Sequence, residues 1–224
     1  ISNCQTIRHS LKYYPIPGKI LLLLIRSIIA IFKFSPKSKI PKSVMREGCV
    51  FEQYNASMLK RYPAGHLFWF NHSSLDPKKV VFYFDRSDSP CNKESISEID
   101  SFNFSWLDMK HYIYNVKNPI RKIIECFRNT METYHKNWTE IDAYIWVSVF
   151  CYSLELESYR EIFRKYKVQA LHQHIEWTPE VIIKALALRM EGGIMIWNHW
   201  SVDHYPIAYF NTGVADLVLS WGIL

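Results

Sequence analysis

VQALHQHIEWTPEVIIKALALRMEGGIMIWNHWSVDHYP, residues 168–206, is the stretch whose reading decides the fold. Two short apolar runs, Val168–Leu171 and Ile194–Trp197, flank an amphipathic segment that begins at Pro179. Thr178 is placed to cap a helix, Pro179 suits its first turn, and Gly192-Gly193 stops it. The pattern is strand, helix, strand, the unit of a parallel α/β sheet. In such a sheet ligands bind beyond the carboxyl ends of the strands. The first run is followed by His172, Gln173, His174, Glu176 and Trp177, the second by Asn198, His199, Trp200, Asp203 and His204. Chemistry, if the chain performs any, is expected at these two strand ends.

Working outward, Asp216–Ser220 reads as one further strand, ending at Trp221-Gly222. Residues 119–165 are helical in character. Pro119 opens them, and Ile120, Ile123, Ile124 and Phe127 recur at helical spacing. Thr139 with Asp142 resembles a capping box. An apolar stripe through Ile141, Tyr144, Ile145, Val149, Tyr152 and Leu156 leads toward Tyr166, and the charged residues from Glu155 to Lys165 read as a solvated face. Val80–Phe84, a helix over Glu94–Ser101 and Phe102–Leu107 form a second strand–helix–strand unit; Leu67–Phe70 is another strand candidate. Residues 50–61 read as a short helix, and Pro36–Lys42 as a basic linker.

Charge divides the chain. Residues 1–46 carry nine Lys or Arg and no acid, whereas the remaining 178 hold 18 basic against 21 acidic residues. The basic balance therefore belongs to the N-terminal segment, and a nucleic-acid partner for the body is not indicated. Within that segment Ile20–Phe32 is apolar apart from Arg26 and Ser27, too short for the roughly 20 residues of a membrane span. Lys19, Arg26 and Lys33 recur every seven residues and form a basic stripe on an apolar helix, suited to an anionic membrane surface. A helix packed on the body, a short span and an uncleaved signal are the alternatives. The expected organisation is a basic amphipathic, membrane-proximal segment over 1–46 and a Rossmann-like α/β domain over 47–224, a parallel sheet with flanking helices. Five scattered cysteines without a CxxC pair suggest neither a zinc ribbon nor a disulfide framework, and a reducing compartment. The first residue is Ile1 and the last follows an apolar run, so the chain is expected to be the N-terminal part of something longer.

Three readings of the strand-end residues stay open. His172, His174 and Glu176 alternate and could ligate a metal, as in a metal-dependent hydrolase. His174, Glu176, Asp203 or His204 could act as a general base toward a hydroxyl. Or the polar groups only line a rim, which leaves a non-catalytic, membrane-associated binding module. The tryptophans Trp177, Trp197, Trp200 and Trp221 could pack in a core or serve as platforms for a sugar ring. No GxGxxG, GxxxxGK[ST] or GxSxG motif occurs, which disfavours a dinucleotide dehydrogenase, a P-loop NTPase and an α/β-hydrolase.

The run HQHIEWTPEVIIKALALRMEGGIMIWNHWSVDHYPIAYFNTGVADLVLSWG, together with VVFYFDRSDSP, resembles the N-terminal half of bacterial surface-polysaccharide biosynthesis proteins. These are glycosyltransferases of the two-Rossmann-domain type, in the group marked by a Pro-Phe-Thr-Ser motif, and the likeness spans about residues 65–224. It implies an acceptor-side domain that works with a C-terminal half holding a nucleotide-sugar donor. No Pro-Phe-Thr-Ser sequence occurs here, so the chain alone is expected to be inactive. The resemblance implies no bound metal or cofactor, a glycan or lipid-linked acceptor, and a place at the inner face of the plasma membrane. On this reading His174, Glu176 and Asp203 are the catalytic candidates. His172, Gln173, Trp177, Asn198, His199, Trp200 and His204 would contact substrate, and Lys19, Arg26 and Lys33 the membrane.

Overall fold

The structure is a computed structural model, which describes residues 38–54, 70, 73–84, 91–109, 119–131, 140–173, 179–198 and 215–219. Seven strands form one sheet: β1 (Ser38–Lys39), β2 (Cys49–Gln53), β3 (Val80–Phe84), β4 (Ser105–Asp108), β5 (Val168–Gln173), β6 (Ile194–Asn198) and β7 (Leu217–Leu219). Their spatial order is β1-β4-β3-β2-β5-β6-β7. Only β1 runs antiparallel, against β4; every other pairing is parallel. Leaving β1 aside, the six parallel strands follow the 3-2-1-4-5-6 order of a doubly wound Rossmann sheet. The expected α/β architecture is therefore the observed one.

Five helices accompany the sheet among the described residues: α1 (Lys42–Glu47), α2 (Lys93–Ser101), α3 (Pro119–Met131), α4 (Glu140–Tyr166) and α5 (Pro179–Met190). None is long and apolar enough to cross a membrane. Tyr159, Ile162, Phe163 and Tyr166 of α4 and Val181, Ala185 and Leu188 of α5 close one core with Phe51, Tyr83, Leu107 and Leu171 of the sheet. Burying one such Phe or Leu contributes about 1.5–3 kcal/mol. On the opposite face Phe82 and Phe84 pack with Ile99 of α2 and with Phe104. Helix α2 starts where Asn92 Oδ1 accepts from Ser95 N at 2.8 Å, and it supplies the crossover of the β3–α2–β4 unit read from the sequence.

Several local readings need correction. Residues 50–61 do not start as a helix: Cys49–Gln53 is the central strand β2, entered through Gly48 at φ +99°, a value that favours glycine. The supposed linker contains β1 and leads into α1, and Ile40 and Val44 lie in the main core. Residues 119–165 hold two helices, the second beginning at Glu140, just after Thr139, but the apolar stripe assigned to it is rotated. Ile145 and Val149 are about half exposed, while Trp146, Phe150 and Leu154 are buried. Ile120 and Ile124 of α3 are likewise exposed, and Phe127 meets Trp146 edge-on at 5.7 Å. Glu155 is buried, not solvated. In α5 the outward residues are Ile182 and Leu186, and Lys184 is inside. Thr139 and most of Leu67–Phe70 lie outside the described residues; Phe70 itself is helical.

The glycine pair ends α5 as expected. Gly192 sits at φ +85°, and a Cβ on Gly193 would lie 2.5 Å from Leu188 Cδ1 and 2.7 Å from the Val168 carbonyl. That position accepts no side chain without moving α5 off β5.

Candidate functional site at the strand-order switch

After β2 the chain builds outward through β3 and β4; after β5 it builds the other way through β6 and β7. The strand-order switch therefore lies between β2 and β5, the place where open α/β sheets bind ligands beyond the carboxyl ends of the strands. The residues that close this junction are polar. Glu52 stands opposite His172 in the β2–β5 ladder, and the imidazole Nδ1 lies 2.6 Å from Glu52 Oε2. Glu52 is 0% and His172 1% exposed. The next residues along, Gln53 and Gln173, are buried too. Strand neighbours point to opposite faces. Glu52 and His172 share a row with Phe82 and Ile196, whereas Gln53 aligns with Tyr83 and Gln173 with Trp197 on the α4–α5 side.

That second side holds another buried polar group. Lys184 of α5, 1% exposed, places Nζ 3.0 Å from Glu180 Oε1, one turn earlier. The Tyr159 hydroxyl donates to the same oxygen at 2.7 Å. The ammonium also lies 4.9 Å from the Tyr83 ring centroid and 5.5 Å from that of Tyr159, within cation–π range. Among the described residues, six of the ten buried polar or charged side chains thus gather around the carboxyl ends of the central strands. Taking charged groups out of water costs several kcal/mol each before pairing. Hydrophobic packing alone would not concentrate them at this junction.

The Glu52–His172 pair has definite chemical capacity. An ionised Glu52 accepts from Nδ1–H, which fixes the imidazole tautomer and leaves Nε2 as the basic nitrogen. It also fixes the end of β5, from which the rest of the HQHIEW run departs. Tyr54, the residue after β2, donates its hydroxyl to Glu98 Oε2 at 3.0 Å. Burial pushes that hydroxyl's pKa up from its ordinary value; a hydrogen bond from Ser95 opposes the shift, and the bond to Glu98 with its charge adds to it.

Of the residues singled out in the sequence, His172 and Gln173 belong to β5, which runs two residues beyond Leu171, so they are strand residues and not part of the following loop. Asn198 is the last residue of β6. His174, Glu176, Trp177, His199, Trp200, Asp203 and His204 lie outside the described residues, as do Lys19, Arg26 and Lys33. Among the described residues no cluster of three or more His, Cys, Asp or Glu is placed to hold a metal. The sequence reading missed Glu52, Gln53, Glu180 and Lys184. Glu52 and Gln53 carried a signal in Gly48, which separates CVFEQ from the preceding helix; Lys184, the one polar residue between Val181 and Leu188, carried none. No protein-family model matches the chain, and neither a curated protein nor a solved structure shows significant similarity to it.

Proposed function

We propose that the chain is the acceptor-side Rossmann-like half of a two-domain glycosyltransferase that extends a surface polysaccharide or a lipid-linked glycan. The observation that carries the reading is the buried carboxylate–imidazole pair at the strand-order switch. In this proposal a second half supplies the nucleotide-sugar. An acceptor hydroxyl loses its proton to a base of this chain, its oxygen forms the new bond to the anomeric carbon, and the nucleotide leaves with the electrons of the broken bond. His174, Glu176 and Asp203 are the candidate bases. Glu52 and His172 are positioning residues that hold the strand end ahead of the first two. The sequence resemblance and the lack of a Gly-rich phosphate loop both support an acceptor role over a nucleotide one.

The test is saturation-transfer NMR with the protein and a panel of rhamnose-, galactose- and N-acetylglucosamine-containing oligosaccharides, beside uridine and guanosine diphosphates. Saturation should pass to at least one glycan and to neither nucleotide, and E176A should weaken the glycan signal without loss of fold. Nucleotide binding without glycan binding, or binding of neither, overturns the proposal.

A further inference from the structure

We propose that Gln173 recognises the acceptor glycan, its buried amide oxygen accepting a hydrogen bond from one sugar hydroxyl. The inference rests on the glycosyl-transfer reading and names a contact within that same site. Gln173 is the last residue of β5, at the strand-order switch, and is 2% exposed. Among the described residues its Oε1 is buried and has no hydrogen-bond partner. A buried acceptor left without a donor weakens a fold, and the large majority of such groups are paired. The polar side chains around this junction behave differently. Glu52 lies against His172, Lys184 against Glu180, and the Tyr159 hydroxyl donates to Glu180. Each of those contacts joins two parts of the fold, and Gln173 Oε1 joins none. An apolar side chain of the same length would fill the position at lower cost. The amide is therefore explained by what it binds and not by what it holds together.

The surroundings select the ligand. An amide oxygen only accepts, so the group that meets it must donate, which excludes a phosphate dianion or a carboxylate. The Lys184 ammonium on this side of the sheet is matched by the Glu180 carboxylate, which leaves no net charge to attract an ionised group. A neutral hydroxyl remains. It serves with the amide either way round: were the amide turned to present Nε2, a hydroxyl would accept in place of donating. Gln173 also stands opposite Trp197 in the β5–β6 ladder, so the two side chains share a face of the sheet, on strands about 4.8 Å apart. Trp197 is 7% exposed. An indole beside an amide suits a sugar ring, which offers C–H groups to the one and O–H groups to the other.

The test combines a variant with a deoxygenated ligand series. Disaccharides containing rhamnose, galactose or N-acetylglucosamine, and their monodeoxy analogues, are titrated into the full chain and into Q173M and followed by saturation-transfer NMR. Methionine keeps the length of glutamine and removes its hydrogen-bonding groups. In the parent, loss of one particular hydroxyl should weaken binding about tenfold. In Q173M that disaccharide and its analogue should bind equally, both at the weakened level. Q173M should also unfold in urea at a midpoint about 0.5–1 M above that of the parent, because the unpaired acceptor is gone. A parent that binds none of the disaccharides overturns the glycosyl-transfer reading and this inference with it. A parent that binds one, with Q173M binding it as tightly, overturns this inference alone. So do analogues that all bind the parent within about twofold of the disaccharide itself. A Q173M midpoint at or below the parent's, or failure of Q173M to fold, makes the amide a structural tie and overturns the inference as well.

Discussion

Replacing His172 by Leu should destabilise the fold far more than the size of the change suggests. The substitution roughly conserves volume, so little cavity forms, but it removes the imidazole that lies 2.6 Å from Glu52 Oε2, and Glu52 is 0% exposed. Breaking a buried pair in this way costs about 3–5 kcal/mol. The reverse variant, Glu52→Met, strands an imidazole that can stay neutral, and its cost is about 1–3 kcal/mol. Replacing both removes the polar groups together and should bring the protein to within about 1 kcal/mol of the parent, because a matched apolar pair needs no hydrogen bonds. The double-mutant cycle should thus give a coupling energy of about 3 kcal/mol or more. Equilibrium unfolding in urea measures it. At a slope of about 2 kcal/mol/M, a loss of 4 kcal/mol moves the midpoint by about 2 M. Additive effects, or a His172→Leu variant within about 1 kcal/mol of the parent at unchanged slope, would refute the assignment of this pair as the buried tie between β2 and β5.

The thiol of Cys49, pushed up to about 12 by burial and donating to the Tyr166 carbonyl at 3.3 Å, should resist iodoacetamide at pH 8 in the folded protein and react once urea is added; rapid native-state alkylation, read by mass spectrometry, would contradict the packing of α4 on β2. Glu191 gives a pH prediction. Burial raises its pKa, but hydrogen bonds from Arg164 and Arg160 and their charges outweigh this, and the folded value lies below 4.5. A carboxylate depressed in the folded state contributes stability that is fully present above its unfolded pKa and lost as pH falls through the folded one. Thermal melts from pH 6 down to about pH 3 should therefore show a steeper decline for the parent than for R160Q/R164Q, and parallel profiles would show that the pair adds nothing.

How much of this was legible in the sequence depended on whether burial left a period to read. Val80–Phe84 is buried on both faces, and its unbroken β-branched and aromatic run says so directly. The α5 unit announced its ends through Pro179 and Gly192-Gly193, yet not its inner face. Seven of its residues from Val181 to Leu188 are apolar, so periodicity could not show that Ile182 and Leu186 look outward while Lys184 looks in. Strand β2 failed for the opposite reason. Glu52 and Gln53 are good helix formers, yet pairing with β3 and β5 holds them in a central strand, where the His172 imidazole faces the Glu52 carboxylate across the ladder. The site was legible by half. The histidine end of the pair stood out in HQHIE, and the carboxylate end, 120 residues earlier, was visible only once tertiary structure joined them.

That same separation bears on how the molecule assembles. The contact of Ser105, in β4, with the carbonyl of Lys78, just ahead of β3, closes a loop of 27 residues, whereas the Glu52–His172 contact closes one of 120. Loop entropy grows only as the logarithm of length, yet it must be spent before the distant contact gives anything back. The β2–β3–β4 half can therefore form first, with the open edge of β2 waiting for β5. During that interval the unpaired edge exposes Glu52, and a charge on an edge strand discourages pairing with another chain. The carboxylate that ties the finished sheet together would then guard its unfinished edge during folding.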